Sequence, residues 1–313
     1  MIKRTLMLYF SFIIPCSLNA ALPLDKDGIV KQDKLSINAG IGYLGGESKE
    51  YVYEDGRTLS QLNWKIEQAA ILLGEINYDL FQNIALNAAG WVTAGMGNAK
   101  MDDYDWLNPN QSTWTEWSHH EDTELRYANQ IDLNLRGWLM ENEHVKLGLM
   151  AGYQRNSFSF LARGGCFQYS SGQLIGCFPA NEIGIGYQQT FNTGYLGALG
   201  HYEINALDVN AAIKYGPYVK SNDVDQHYAR SLTFKESGNE ASFYSLALDT
   251  GYRMNPQAKV YIKGAINYFS HTNANTEMIN RISGERDFLT NAAGLKNTNY
   301  MLALGIQYKP FAT

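Results

Sequence analysis

Apolar and polar residues alternate with a period of two through segment after segment of this chain. Ile131, Leu133 and Leu135 alternate with Gln130, Asp132, Asn134 and Arg136. Leu207, Val209, Ala211, Ile213 and Tyr215 alternate with Asp208, Asn210, Ala212 and Lys214. Val260, Ile262, Ile266 and Tyr268 alternate with Lys259, Tyr261, Lys263 and Asn267, and near residue 62 the outward set reads Leu62, Trp64, Ile66, Leu72, Ile76 and Tyr78. Successive side chains of a strand point to opposite faces, so this pattern specifies strands with one apolar and one polar face. A soluble sandwich would use it too. Two features favour a membrane barrel. The segments run roughly 20 residues, against ~5–6 for soluble strands. The polar face carries charge repeatedly, as a wet lumen does, while Tyr and Trp gather near strand ends.

Mean hydropathy is −0.30, which excludes a bundle of membrane helices, each needing ~20 consecutive apolar residues. Short turns fall at 79–83, 141–144, 204–206 and 255–258. Longer connections fall at 54–58, 106–123, 166–182, 228–232 and 273–297. Four short and five long connections make ten strands, with the short turns periplasmic and the long loops extracellular. The expected fold is all-β, a ten-stranded antiparallel transmembrane β-barrel. No linker, composition shift or repeat divides it.

The N-terminus reads as a secretory leader. Lys3 and Arg4 precede an apolar run from Leu6 to Ile14, and Ser17-Leu18-Asn19-Ala20 ends in a plausible cleavage site. Residues 1–20 are thus expected to be a signal peptide and 21–313 the barrel. The net charge of −6 becomes more negative without Lys3 and Arg4, so an exported acidic chain points to cationic partners and away from nucleic acid. Cys16 leaves with the leader. Cys166 and Cys177 remain in an oxidising compartment, where a loop disulfide is expected.

Chemistry concentrates in two acidic stretches. In Asp223-Val224-Asp225-Gln226-His227, Asp225 and His227 point to the same side of a strand, where a carboxylate can accept the imidazole N–H and prepare a general base. Asp102-Asp103-Tyr104-Asp105-Trp106 repeats the spacing, and two close carboxylates resist joint ionisation. Strand counting puts Asp103 and Asp105 at the external top of the third strand, Asp225 and His227 at the top of the seventh, and Glu50 near the top of the first. A water held between an acidic couple and a neutral His can attack a carbonyl without a nucleophilic Ser or Cys. Each stretch alone also reads as an ordinary solvated loop. His119-His120-Glu121-Asp122 has the composition of a metal site, but adjacent loop residues rarely converge on one ion, and no metal is expected.

At these residues the chain resembles the omptins, outer-membrane aspartyl-type proteases of Gram-negative bacteria. The likeness runs through Ser60-Gln61-Leu62-Asn63-Trp64-Lys65, Ala88-Ala89-Gly90-Trp91, Met101-Asp102-Asp103-Tyr104-Asp105-Trp106, Leu147-Gly148-Leu149-Met150-Ala151-Gly152-Tyr153-Gln154, Ala162-Arg163-Gly164-Gly165 and Asp223-Val224-Asp225-Gln226-His227-Tyr228. The resemblance implies an outer-membrane location with the active site facing outside. It also implies endopeptidase cleavage beside Arg or Lys, often at a dibasic pair. Asp103 and Asp105 match the family's acidic couple and Asp225 and His227 its dyad. Glu50 and Asp223 match the acids of the pocket for the residue before the cut, with Met101 and Ile185 beside it. Substrates would be cationic peptides or host proenzymes. No cofactor is implied beyond lipopolysaccharide as activator. Tyr153 matches one lipid contact, with Arg155 the candidate second. Arg155 and Ser157 stand where the family has Glu and Arg, and Thr190 where it has Arg. The cysteines and a shorter loop after His227 also depart from the pattern. From the loops alone, the alternative is a non-enzymatic adhesin or invasin.

Overall fold

The computed structural model describes residues 34–312; the expected leader over 1–20 lies outside the described residues. Thirteen strands follow one another: β1 (Leu35–Glu54), β2 (Arg57–Phe81), β3 (Ile84–Thr93), β4 (Gly97–Asp105), β5 (Glu116–Glu141), β6 (Val145–Arg163), β7 (Cys166–Tyr169), β8 (Leu174–Cys177), β9 (Ile183–Ile204), β10 (Leu207–His227), β11 (Leu232–Arg253), β12 (Ala258–Asn280) and β13 (Arg286–Tyr308). β3 and β4 are two halves of one wall strand, since each pairs with β2 on one side and β5 on the other. β7 and β8 form a hairpin standing off β5. The remaining strands pair with their neighbours, and β1 pairs with β13, so ten antiparallel strands close into a barrel.

Register builds the membrane belt. Ile41 lies opposite Leu304 on one side and Leu72 on the other, and Leu304 opposite Ile262. All four are exposed, as are Ile131, Leu133 and Leu135. The lumen behind the belt is filled by ion pairs. Glu75 meets Arg136 and Lys263 at 3.1 Å each, Lys259 meets Asp208 at 2.9 Å, and Lys214 meets Asp132. A cavity of about 340 Å³ opens at the short-turn end, lined by Asp79, Arg253, Gln257 and Lys309.

Two expectations need correction. The connections expected as long loops are mostly sheet. Residues 54–58 hold a two-residue turn, Asp55-Gly56, with both φ angles positive. β5 already starts at Glu116, β12 runs to Asn280 and β13 starts at Arg286, while 166–182 contains the β7–β8 hairpin. Only ~9–11 residues of a strand are needed to cross a bilayer, so much of each strand projects beyond it. There neither face meets lipid, and the simple alternation that marks a strand disappears.

The second correction concerns Leu62, Trp64 and Ile66. They do not share the outward face of Leu72 and Ile76: they are at most 2% exposed, whereas Leu72 and Ile76 are about half exposed. The pairing of β1 with β2 slips between Leu44/Ala69 and Gly46/Ile66, giving β2 one residue more than its partner. Because side chains alternate with period two, one extra residue exchanges the faces. Below the bulge apolar side chains face outward; above it they face inward. Leu62, Trp64, Ile66, Met101, Phe158, Phe160, Ile185 and Tyr187 join one buried apolar layer.

Cys166 and Cys177 are opposite each other at the base of the β7–β8 hairpin and are joined by a disulfide. The bond closes a hairpin outside the barrel wall. Replacing both cysteines with Ser should leave the unfolding midpoint of the barrel unchanged while chymotrypsin nicks residues 166–182 faster. A lowered barrel midpoint would show that the hairpin supports the wall.

Candidate active site

The acids expected at one rim do meet there. Asp103 and Asp105 end β4, where Asp105 lies opposite Ser60 of β2 and Asp103 opposite Leu62. Both face inward and are partly exposed. The Ser60 hydroxyl donates to Asp103 Oδ1 at 3.1 Å. Burial, then the Asp105 charge, pushes the Asp103 carboxyl up to about 8. Burial also raises Asp105. The couple resists holding two charges, and its titration belongs to the pair.

Asp225 and His227 end β10 with their side chains on one face, and His227 Nε2 lies 2.5 Å from Asp225 Oδ2. The other ring nitrogen, Nδ1, accepts a hydrogen bond from the guanidinium of Arg230, which sits in the turn after β10. A guanidinium can only donate. Nδ1 therefore carries the lone pair, and the ring proton sits on Nε2 facing Asp225. Phe234 packs edge-on against the ring, and Arg281 donates to the His227 carbonyl at 3.1 Å. Arg230 and Asp225 both bear electrostatically on Asp103, and Arg230 and His227 on Asp105, so couple and dyad share one groove.

Glu50 and Asp223 lie deeper, at 1% and 4% exposure. Asp223 Oδ2 accepts from the Tyr187 hydroxyl at 3.0 Å, and that hydroxyl accepts from Gln189 Nε2 at 2.9 Å. Tyr187 stacks on Trp64, with ring centroids 5.1 Å apart, which seats the acids on the apolar layer. Met101 and Ile185 belong to that layer. Burial, then Asp225, pushes Asp223 up to about 8. Glu50 is held well above the usual carboxylate range by burial, then by Asp225 and Glu236.

Glu236 was not anticipated from sequence. It lies on β11 opposite Asp223 and is equally buried. The signal was available: counting back from the turn at 228–231 pairs His227 with Leu232, and so Asp223 with Glu236. Arg230, Ser60 and Tyr187 were also missed. No local pattern marks them, because each acts across a strand boundary or a turn.

The remaining candidates lie elsewhere. Tyr153 and Arg155 are on the outer surface of β6, and the Tyr153 hydroxyl donates to Asn192 at 2.7 Å. Ser157 and Thr190 hydrogen-bond across β6 and β9 at 3.2 Å. His119 and His120, expected in a loop, are on β5 and face opposite ways. His119 meets Asp102 and Glu121 at 2.8 and 2.9 Å, while His120 is buried against Phe178.

Residues 31–310 match the model of the omptin family. The chain is 40% identical to the plasminogen activator of Yersinia pestis over 90% of this chain and 91% of that one. It is 41% identical to protease 7 of Escherichia coli K12 over 88% and 90%, and 37% identical to the outer membrane protease IcsP of Shigella flexneri over the same shares. The crystal structure of outer membrane protease OmpT from Escherichia coli superimposes with a TM-score of 0.85 at 39% identity, covering 89% of this chain and 97% of that one.

The acids carry a pH dependence of stability. Asp103 and Asp223 hold a proton more tightly when folded than when unfolded, so the folded chain takes up protons between the ordinary carboxylate range and about 8. Their contribution to stability should be greatest below pH ~4 and fall as pH rises through that window. Chemical denaturation of Asp103→Asn across pH 4–9 should show a shallower decline than wild type. Equal slopes would contradict this assignment.

Proposed function

The chain belongs to the omptin family, and we propose that this outer-membrane protease cleaves peptide bonds beside Arg or Lys with a water activated between Asp103/Asp105 and His227. One observation carries the reading: the Asp225–His227 pair shares an inward-facing groove with a carboxylate couple that burial keeps from full ionisation. His227, oriented by Asp225, takes a proton from the water while the couple holds that water by hydrogen bonds. The hydroxide adds to the scissile carbonyl. The C–N bond breaks as the imidazolium returns the proton to the leaving amine. The groove faces the outside of the cell, because the short turns are periplasmic in barrels of this class.

Substrate choice follows from charge. Glu50 and Asp223 are buried acids with few protein partners, suited to a basic side chain on the substrate. Cationic peptides and host proenzymes with exposed basic residues are the substrate classes that fit. Lipopolysaccharide is the proposed activator. Tyr153 and Arg155 stand on the outer wall beside the Ser157–Thr190 pair, and Arg155 supplies a cation for lipid phosphate there.

Two outcomes test the reading. A dibasic fluorogenic peptide should be cut by protein reconstituted with lipopolysaccharide, and Asp103→Ala or His227→Ala should reduce kcat by about 10²–10⁴-fold. Cleavage equal to wild type would sink the assignment, and the same assay without lipopolysaccharide tests the activator. Arg230 at rest covers the nitrogen that must take the proton, so it has to move aside before His227 can act as the base. Arg230→Ala should raise kcat/KM by about tenfold or more, the worth of one charge-assisted hydrogen bond of about 1.5–3 kcal/mol. A fall in kcat/KM would instead give Arg230 a direct part in the chemistry.

A further inference from the structure

Glu236 adds a third carboxyl to the pair that recognition of a basic side chain needs. One carboxylate oxygen each from Glu50, Asp223 and Glu236 lies within 4.8 Å of the other two. The three come from β1, β10 and β11, so no single strand could have brought them together. Two already spend one oxygen on the protein. Asp223 Oδ2 takes the Tyr187 hydroxyl, and Glu236 Oε1 takes the Thr276 hydroxyl at 3.3 Å. One buried oxygen of each finds no hydrogen-bond donor, Glu50 Oε2, Asp223 Oδ1 and Glu236 Oε2, while the Asp223 and Glu236 carboxyls lie within hydrogen-bonding reach of each other. Buried acceptors without donors are costly, and a cation in their midst supplies the donors and favours the ionised carboxylates.

Their spacing discriminates between cations. A primary ammonium presents three N–H donors in a tetrahedral array. With N···O at about 2.8 Å, the three acceptors it bonds stand about 4.6 Å apart. A guanidinium is flat, and carboxylates from three residues on its separate edges would stand about 6 Å apart. Glu50 and Asp223 suffice to hold a guanidinium by two edges, leaving the third acid superfluous. The three oxygens lie within 4.8 Å of one another, inside the separation that a flat guanidinium bonded on three edges would need and compatible with an ammonium.

We infer that Glu236, with Glu50 and Asp223, forms a three-oxygen receptor for the ammonium of a substrate lysine. Glu236 is then a specificity-determining residue that brings Lys up to, or above, Arg at the bond that is cut. The inference rests on the proposed cleavage beside basic residues and specifies it further. Thr276 holds one oxygen of Glu236, and Tyr187 one oxygen of Asp223, which leaves the other oxygen of each for the ligand.

The test is a matched pair of fluorogenic peptides, identical except for Lys or Arg before the scissile bond. They are assayed on lipopolysaccharide-reconstituted wild type, Glu236→Gln and Glu236→Ser. The expected result is a drop in kcat/KM of roughly 10–100-fold for the Lys peptide, the loss of one charge-assisted hydrogen bond, with the Arg peptide falling no more than a few-fold. The ratio of the two rates is internal to each preparation, so partial misfolding cannot imitate the selectivity change. Equal losses on both peptides would overturn the inference while leaving cleavage beside basic residues intact. So would a divalent cation that co-purifies with wild type and not with the variants. If wild type cuts neither peptide, the underlying functional reading fails instead.

Discussion

Hydrocarbon offers a peptide group no hydrogen-bond partner, so every backbone N–H and C=O that crosses the membrane must be paired within the protein. The pairing of β1 with β13, from Ile37 opposite Tyr308 to Val52 opposite Ala293, meets that demand by removing both sheet edges. The rest depends on this closure. It turns the polar face of each strand into a lumen, where Glu75, Arg136 and Lys263 neutralise one another. It also brings β4 and β10, far apart along the chain, to one rim.

The bulge in β2 makes the rim usable. Below it the outward face is apolar and meets lipid; above it the apolar side chains turn inward and build a floor of Trp64, Phe160 and Tyr187. Five acids rest above and beside this floor. Burial near one another raises Glu50, Asp103, Asp105, Asp223 and Glu236, which costs stability near neutral pH. Such local cost is common where a site is arranged in advance for charge that arrives with a ligand. The closed wall beneath supplies the rigidity that tolerates it.

The strand count, the short turns and the height of Asp103, Asp105, Asp225, His227 and Glu50 were legible because lipid imposes a strict period of two. The extent of the sheet beyond the membrane was not. Residues 116–123 and 273–280 continue as strands in which neither face meets lipid, so their sequence carries no simple alternation. The same loss hid the inversion at Leu62, Trp64 and Ile66: a bulge is a difference in count between two strands, and one strand read alone cannot display it.

By itself the sequence determined an antiparallel barrel of ten strands, its polarity, and which short motifs stand at its open end. Those properties follow from local alternation and turn chemistry, which each segment carries independently. Only the tertiary structure decided that Glu50 joins Asp223 and Glu236, and that Arg230 covers the free nitrogen of His227. It also decided that Tyr187 ties the acids to the apolar floor. These depend on register across several strands and on barrel closure, and register is a property of pairs of strands.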